Sequence, residues 1–137
     1  MSPALTAYRL LTRLLEPLAP RLLDARVKQG KEDAVRVDER LGVATVARPS
    51  GDLVWMHGVS VGETLSLLPL VDRLQKARPD LTILITSGTV TSATILAQRL
   101  PEGVIHQFAP VDGPAAVAAF LDHWRPSLGI FVESELW

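Results

Sequence analysis

No cysteine occurs in the 137 residues, which excludes disulfides and thiolate chemistry and fits a reducing compartment. No charge sign dominates: 14 Lys and Arg stand against 15 Asp and Glu, a formal net charge of −1. Nothing overall therefore advertises a nucleic-acid partner. There is also no long uninterrupted apolar run. A spanning helix needs about 20 mostly apolar residues. The nearest approach, residues 5–23, is interrupted by Arg9, Arg13, Glu16 and Arg21 and broken by Pro17 and Pro20. That segment also lacks the uncharged apolar core of a cleaved signal peptide. His57, His106 and His123 have no metal-ligand spacing among themselves, and no internal repeat or low-complexity tract appears.

What is present is enough for one domain with a core, since 47% of residues are hydrophobic. At the amino end Leu11, Leu14, Leu15, Leu18 and Leu22 recur at helical spacing. An amphipathic helix with arginines on its polar side suits a membrane interface; a helix packed on its own domain fits the same pattern. Residues 28–40 carry Lys28, Lys31, Glu32, Asp33, Arg36, Asp38, Glu39 and Arg40. Mixed signs at short spacing predict a solvated helix face; a sharper reading has Arg36 and Arg40 reaching an anionic ligand. Residues 43–52, with Pro49, Ser50 and Gly51, read as a linker.

From Leu53 the pattern alternates. Apolar runs predict strands at 53–56, 81–86, 104–107 and 128–132, and helical repeats predict helices at 63–77, 91–100 and 114–124. Continuous apolar strands alternating with helices predict an α/β fold, a parallel sheet covered on both faces. Pro69 lies inside the first of these helices and predicts a kink or a late start. The chain stops just after its last strand, which leads us to expect a fragment of a longer protein.

The loop after the first strand, His57-Gly58-Val59-Ser60-Val61-Gly62-Glu63, carries the chemistry. Ser60 and Glu63 fit a capping box. Gly58-Val59-Ser60-Val61-Gly62 also fits the G-x-S-x-G elbow of serine hydrolases with Ser60 as nucleophile. Its required partners, Asp112 and His123, fall at opposite ends of one predicted helix. A phosphate loop at a helix N-terminus is a third reading, opposed by the carboxylate of Glu63. In a fourth, Glu63 is a general base held at a cleft edge. Glu133-Ser134-Glu135 follows the last strand. Parallel strands present their carboxyl ends together, so Glu63 and Glu133 would face one crevice; each alone also reads as a solvated or capping group.

The loop motif, together with Arg78-Pro79-Asp80-Leu81, His106-Gln107, residues 120–126 (FLDHWRP) and Val132-Glu133-Ser134-Glu135-Leu136-Trp137, resembles the amino-terminal half of the 3-deoxy-D-manno-octulosonic acid (Kdo) transferases. Gly30-Lys31-Glu32 and Glu39-Arg40-Leu41-Gly42 fit as well, so the resemblance covers nearly the whole chain. It implies a GT-B glycosyltransferase of two Rossmann-like domains that transfers Kdo from CMP-Kdo to a lipid A precursor. The reaction would take place at the cytoplasmic face of the inner membrane, with no cofactor and no metal in the transfer step. It implies Glu63 as catalytic base, Glu133 as a second active-site carboxylate, and a membrane-associating amino-terminal helix. Residues 87–92 (SGTVTS) and 108–112 (FAPVD) depart from the family pattern and carry no role. The corresponding domain expectation is a membrane-associating segment at 1–27, a charged helix and linker at 28–52, and an acceptor-side Rossmann-like domain at 53–137. A second, CMP-binding domain would lie outside the chain. A truncated binding module without catalysis, and a serine hydrolase using Ser60, stand as alternatives.

Overall fold

Strands form where β-branched and large apolar residues run without a break, and four such runs build the sheet. The structure, a computed structural model, describes residues 2–132. It divides into two compact units, Met1–Val46 with Pro110–His123 and Ala47–Ala109 with Trp124–Trp137.

The second unit holds a four-stranded parallel sheet in the order β3-β2-β1-β4, from β1 (Leu53–His57), β2 (Thr82–Ser87), β3 (Ile105–Phe108) and β4 (Leu128–Phe131). Helices α3 (Val61–Ser66) and α4 (Leu68–Ala77) lie between β1 and β2 in the chain, and α5 (Val90–Arg99) between β2 and β3. The predicted 63–77 helix is thus two helices. Pro69 occupies their junction, in the first turn of α4, where its missing N–H costs nothing. Side chains alternate across a strand. Val54, Met56, Ile83 and Ile85 face Leu67, Val71 and Leu96 of the helices and form one core cluster. The opposite face carries Trp55, Leu84, Thr86 and Gln107. There the buried Trp124 indole donates to the Gln107 carbonyl at 2.8 Å. This is the parallel α/β sheet that the alternation predicts and the Rossmann-like arrangement that the resemblance implies.

The first unit is helical. The leucine-rich stretch forms α1 (Pro3–Leu15), a 3-10 turn at Glu16–Leu18 and α2 (Ala19–Lys28), the prolines falling in first turns. No residue of α1 is buried; Leu10, Leu11 and Leu14 are more than half exposed. Among the described residues no helix is long and apolar enough to cross a membrane. The unit's other long helix, α6 (Pro114–Trp124), has a cap drawn from far away in sequence. Glu16 accepts from the Ala115 and Ala116 amides at 3.1 and 2.8 Å.

The charged stretch departs from the prediction. Beyond Lys28 only Val37–Leu41 is helical, as a 3-10 turn, and two acids of the stretch are not solvated, Glu39 being fully buried and Glu32 6% exposed, while Asp38 stays exposed. Burying a carboxylate requires a partner. Arg36 clasps Glu39 through two bonds of 2.6 and 2.8 Å, and Arg26 bonds Glu32 at 2.9 Å with the Arg40 Nε at 3.6 Å. Burial pulls the Arg40 guanidinium below its ordinary pKa, and the charge of Glu32 opposes that. Arg36 and Arg40, read from sequence as reaching for an external anion, are directed at the chain's own carboxylates.

Candidate active site

The sheet order itself marks the site. Along the chain the strands step from β1 to β2 to β3 and then return to the other side of β1, so the winding reverses between β1 and β4. Ligands of open α/β sheets bind beyond the carboxyl ends of the strands at such a switch point. The β1 loop carries Glu63 to this edge, and β4 arrives beside it, the Val132 amide donating to the His57 carbonyl at 3.0 Å. Glu133, next in the chain, lies outside the described residues, so the expected pairing of Glu63 with Glu133 is not placed.

The loop is built by a tight approach. A Cβ added to Gly58 would meet Thr64 N at 3.0 Å and the Glu63 backbone carbon and Cβ at 3.1 Å, so α3 starts hard against the end of β1. Gly62, by contrast, has open space around it. The capping box forms in full: the Glu63 amide donates to Ser60 Oγ at 3.3 Å, and Glu63 Oε2 accepts from the Ser60 amide at 3.2 Å. A third bond adds to it, from the Val59 amide to the same Oε2 at 2.6 Å. Both amides use one oxygen. Oε1 takes no hydrogen bond among the described residues, and Glu63 is half-buried. The cap therefore fixes the carboxylate's orientation and leaves its second oxygen with open lone pairs. A base needs an oriented acceptor with a free lone pair, so the capping and catalytic readings are compatible in one side chain.

Ser60, the nucleophile of the elbow reading, has its hydroxyl accepting from the Glu63 amide. His123, its required base, bonds the Val46 carbonyl through Nε2 at 2.9 Å, and Asp112 faces Tyr8. Among the described residues no group of His, Asp and Glu could hold a metal ion.

Two hydroxyls that the motif analysis passed over sit beneath the same edge. Thr86 Oγ1 lies 2.8 Å from both Trp55 Nε1 and His57 Nδ1, and Ser87 Oγ lies 2.8 Å from His106 Nε2. Both are fully buried. Being consecutive on β2 they point to opposite faces, so each holds one histidine of a neighbouring strand. The signal in the sequence was a Thr-Ser pair closing an otherwise apolar strand. In the other unit a groove of about 440 Å³ runs beside α1 and α2, lined by Leu15, Leu18, Leu22 and Val111 with Glu16 and Asp112.

Comparison with known proteins gives this edge its family. The family described as 3-Deoxy-D-manno-octulosonic-acid transferase (kdotransferase) matches residues 35–137. An Arabidopsis thaliana protein named "Probable 3-deoxy-D-manno-octulosonic acid transferase, mitochondrial" is 42% identical over 130 residues, 95% of this chain and 29% of the relative. The 3-deoxy-D-manno-octulosonic acid transferase of Rickettsia bellii is also 42% identical over 130 residues, 95% of this chain and 31% of its own. That of Haemophilus influenzae is 34% identical over 105 residues, 74% of this chain and 24% of its own. The chain thus spans about a third or less of the length of these relatives. No solved structure matches it significantly. With its parallel Rossmann-like sheet and a family match across three quarters of its residues, the chain belongs to the 3-deoxy-D-manno-octulosonic acid transferase family.

Proposed function

We propose that the chain is the acceptor-side part of an inverting Kdo glycosyltransferase of GT-B architecture. It acts on a lipid A precursor with CMP-Kdo as donor, and Glu63 is the general base. The observation that carries this is the divided carboxylate. Oε2 is held by two backbone amides, and Oε1 has no partner among the described residues, at the switch point of a parallel sheet. In the reaction the acceptor hydroxyl oxygen attacks the anomeric carbon of the donor sugar while Glu63 Oε1 takes the hydroxyl proton. The bond from that carbon to the CMP phosphate oxygen breaks, and CMP leaves as the anion. Attack opposite the leaving group inverts the anomeric centre. Glu133, one residue beyond Val132, would act as a second carboxylate at the same edge. In this architecture CMP would be held by the second Rossmann-like domain.

The leucine-rich α1 with Arg9 and Arg13 would hold the enzyme on the cytoplasmic face of the inner membrane, where the lipid acceptor resides. Its exposed leucines support this reading.

The test is Glu63→Gln in the intact protein that carries this chain. The amide keeps a carbonyl oxygen for the Val59 and Ser60 amides but cannot take a proton. General-base assistance is worth about 10²- to 10⁴-fold. A folded protein with Kdo transfer lowered at least about a hundredfold is the expected result. Near-normal transfer would remove Glu63 from the chemistry and leave it a cap.

A further inference from the structure

Leu15, Leu18 and Leu22 are each more than half exposed, yet all three face one groove. Ala19 and Val111 complete its apolar walls, around a space of about 440 Å³. Apolar surface is driven out of water, and a contiguous exposed patch of it marks a contact site. The polar side chains of the walls are already engaged. The Thr12 hydroxyl donates to the Tyr8 and Arg9 carbonyls at 3.0 and 3.1 Å. Glu16 caps α6 through both its oxygens, and Asp112 accepts from the Tyr8 hydroxyl. The loop amides are used as well: Val111 N–H bonds the Arg40 carbonyl and Gly113 N–H the Val111 carbonyl, each at 2.7 Å. A peptide or a sugar laid in the groove would bring polar groups with little to pair, which is costly. An alkyl chain brings none. At about 30 Å³ for a water-sized group, the space holds roughly a dozen to fifteen methylenes.

Charge says what the chain is attached to. Residues 3–28 carry Arg9, Arg13, Arg21, Arg26 and Lys28 against Glu16 and Asp24, a local net charge of +3 in a chain of −1. Arg9 stands with Thr12 and Asp112, and Arg13 with Glu16, on the walls of the two adjoining hollows. Such a cationic surround complements an anionic headgroup. We propose that this groove takes one fatty acyl chain of an anionic membrane lipid, with the headgroup phosphate at its rim beside Arg9 and Arg13. The lipid as natural source rests on the membrane reading of α1; the preference for an alkyl chain rests on the walls alone. Leu10, Leu11 and Leu14 are not among those walls, so lying on a bilayer and holding a chain use different side chains of one helix.

The test follows the methyl groups of the full chain by ¹³C NMR during titration with hexyl, octyl, decyl and dodecyl phosphate, each below its micelle-forming concentration. Saturable shifts are expected at Leu15, Leu18, Leu22 and Val111, with affinity rising about two- to fourfold per methylene. Ala19→Phe, which fills the groove, and Leu22→Glu, which charges an exposed wall position and so spares the fold, should each weaken dodecyl phosphate at least about tenfold. Leu14→Gln should weaken sedimentation with vesicles of anionic phospholipid and leave dodecyl phosphate binding unchanged. Equal affinity for all four chain lengths would mean headgroup binding only and would overturn the proposal. So would shifts spread over Leu10, Leu11 and Leu14, or binding indifferent to both groove variants. A dimer in sedimentation velocity that dodecyl phosphate does not dissociate would give the groove to a second copy. None of these measurements involves sugar transfer, so their failure leaves the Glu63 reading standing, and failure of Glu63→Gln leaves the groove standing.

Discussion

Glu16 and Gly113 form a device whose energetics can be taken apart. Glu16 lies just past α1 and caps α6 with two charge-assisted bonds, to Ala115 and Ala116. Gly113 makes room for it: a Cβ there would come within 2.8 Å of Glu16 Cγ and closer still to the carboxylate. Hydrogen bonds to charged groups contribute about 1.5–3 kcal/mol, and a charge at a helix N-terminus about 0.3–1 kcal/mol. One of these bonds is exposed and the other partly buried, which places the whole near the lower end. Glu16→Ala is then expected to cost about 2 kcal/mol. Gly113→Ala should cost nearly the same, because its methyl displaces the carboxylate from both amides. The two changes should not add. With Glu16 already removed, the Gly113 backbone accepts alanine without strain, and stiffening the unfolded chain returns about 0.4–1 kcal/mol. The double variant should therefore match Glu16→Ala or exceed it in stability. Urea unfolding of all four proteins closes the cycle, and melting should follow at about 4 °C per kcal/mol. Additive losses near 4 kcal/mol would refute the reasoning, since they would mean that Gly113 and Glu16 act on different contacts.

The remaining predictions are shorter. Gly42→Ala should destabilise by more than about 2 kcal/mol, measured by urea midpoint. Its φ is 83°, and a Cβ would overlap the Ala116 carbonyl oxygen and meet Ala119 Cβ and Phe120 N at 3.0 Å. Asp80 should titrate below its ordinary 3.8, chiefly through its hydrogen bond to Arg78. A depressed carboxylate stabilises the fold above its unfolded pKa and loses that contribution as pH falls through the folded one, so ¹³C titration of Arg78→Gln should move Asp80 back up. The chain should sediment with anionic vesicles and release with salt, each arginine near the surface contributing about 1 kcal/mol. A truncation lacking residues 1–27 should stay in solution, and equal binding by both would count against α1 as the docking element.

The strand-helix alternation, the split at Pro69 and the Ser60–Glu63 cap were legible in the sequence because each is local. A strand announces itself in four to six apolar residues, and a capping box spans four residues. The resemblance to Kdo transferases was carried by equally short motifs. Tertiary structure alone decided the rest. The reversal of winding between β1 and β4, which makes the β1 loop a candidate site, is a property of strand order, and periodicity does not encode order. Within the charged stretch Glu32 and Glu39 were misread as solvated because the partners that bury them are specified by chain path, and their charge pattern also suits an exposed helix. Trp55 and Thr86 are 31 positions apart, and Glu16 and Ala116 are 100. A hydrogen bond across such a span leaves no spacing to read, because the residues between may be anything that folds, whereas one closed within a turn fixes both of its ends in the sequence.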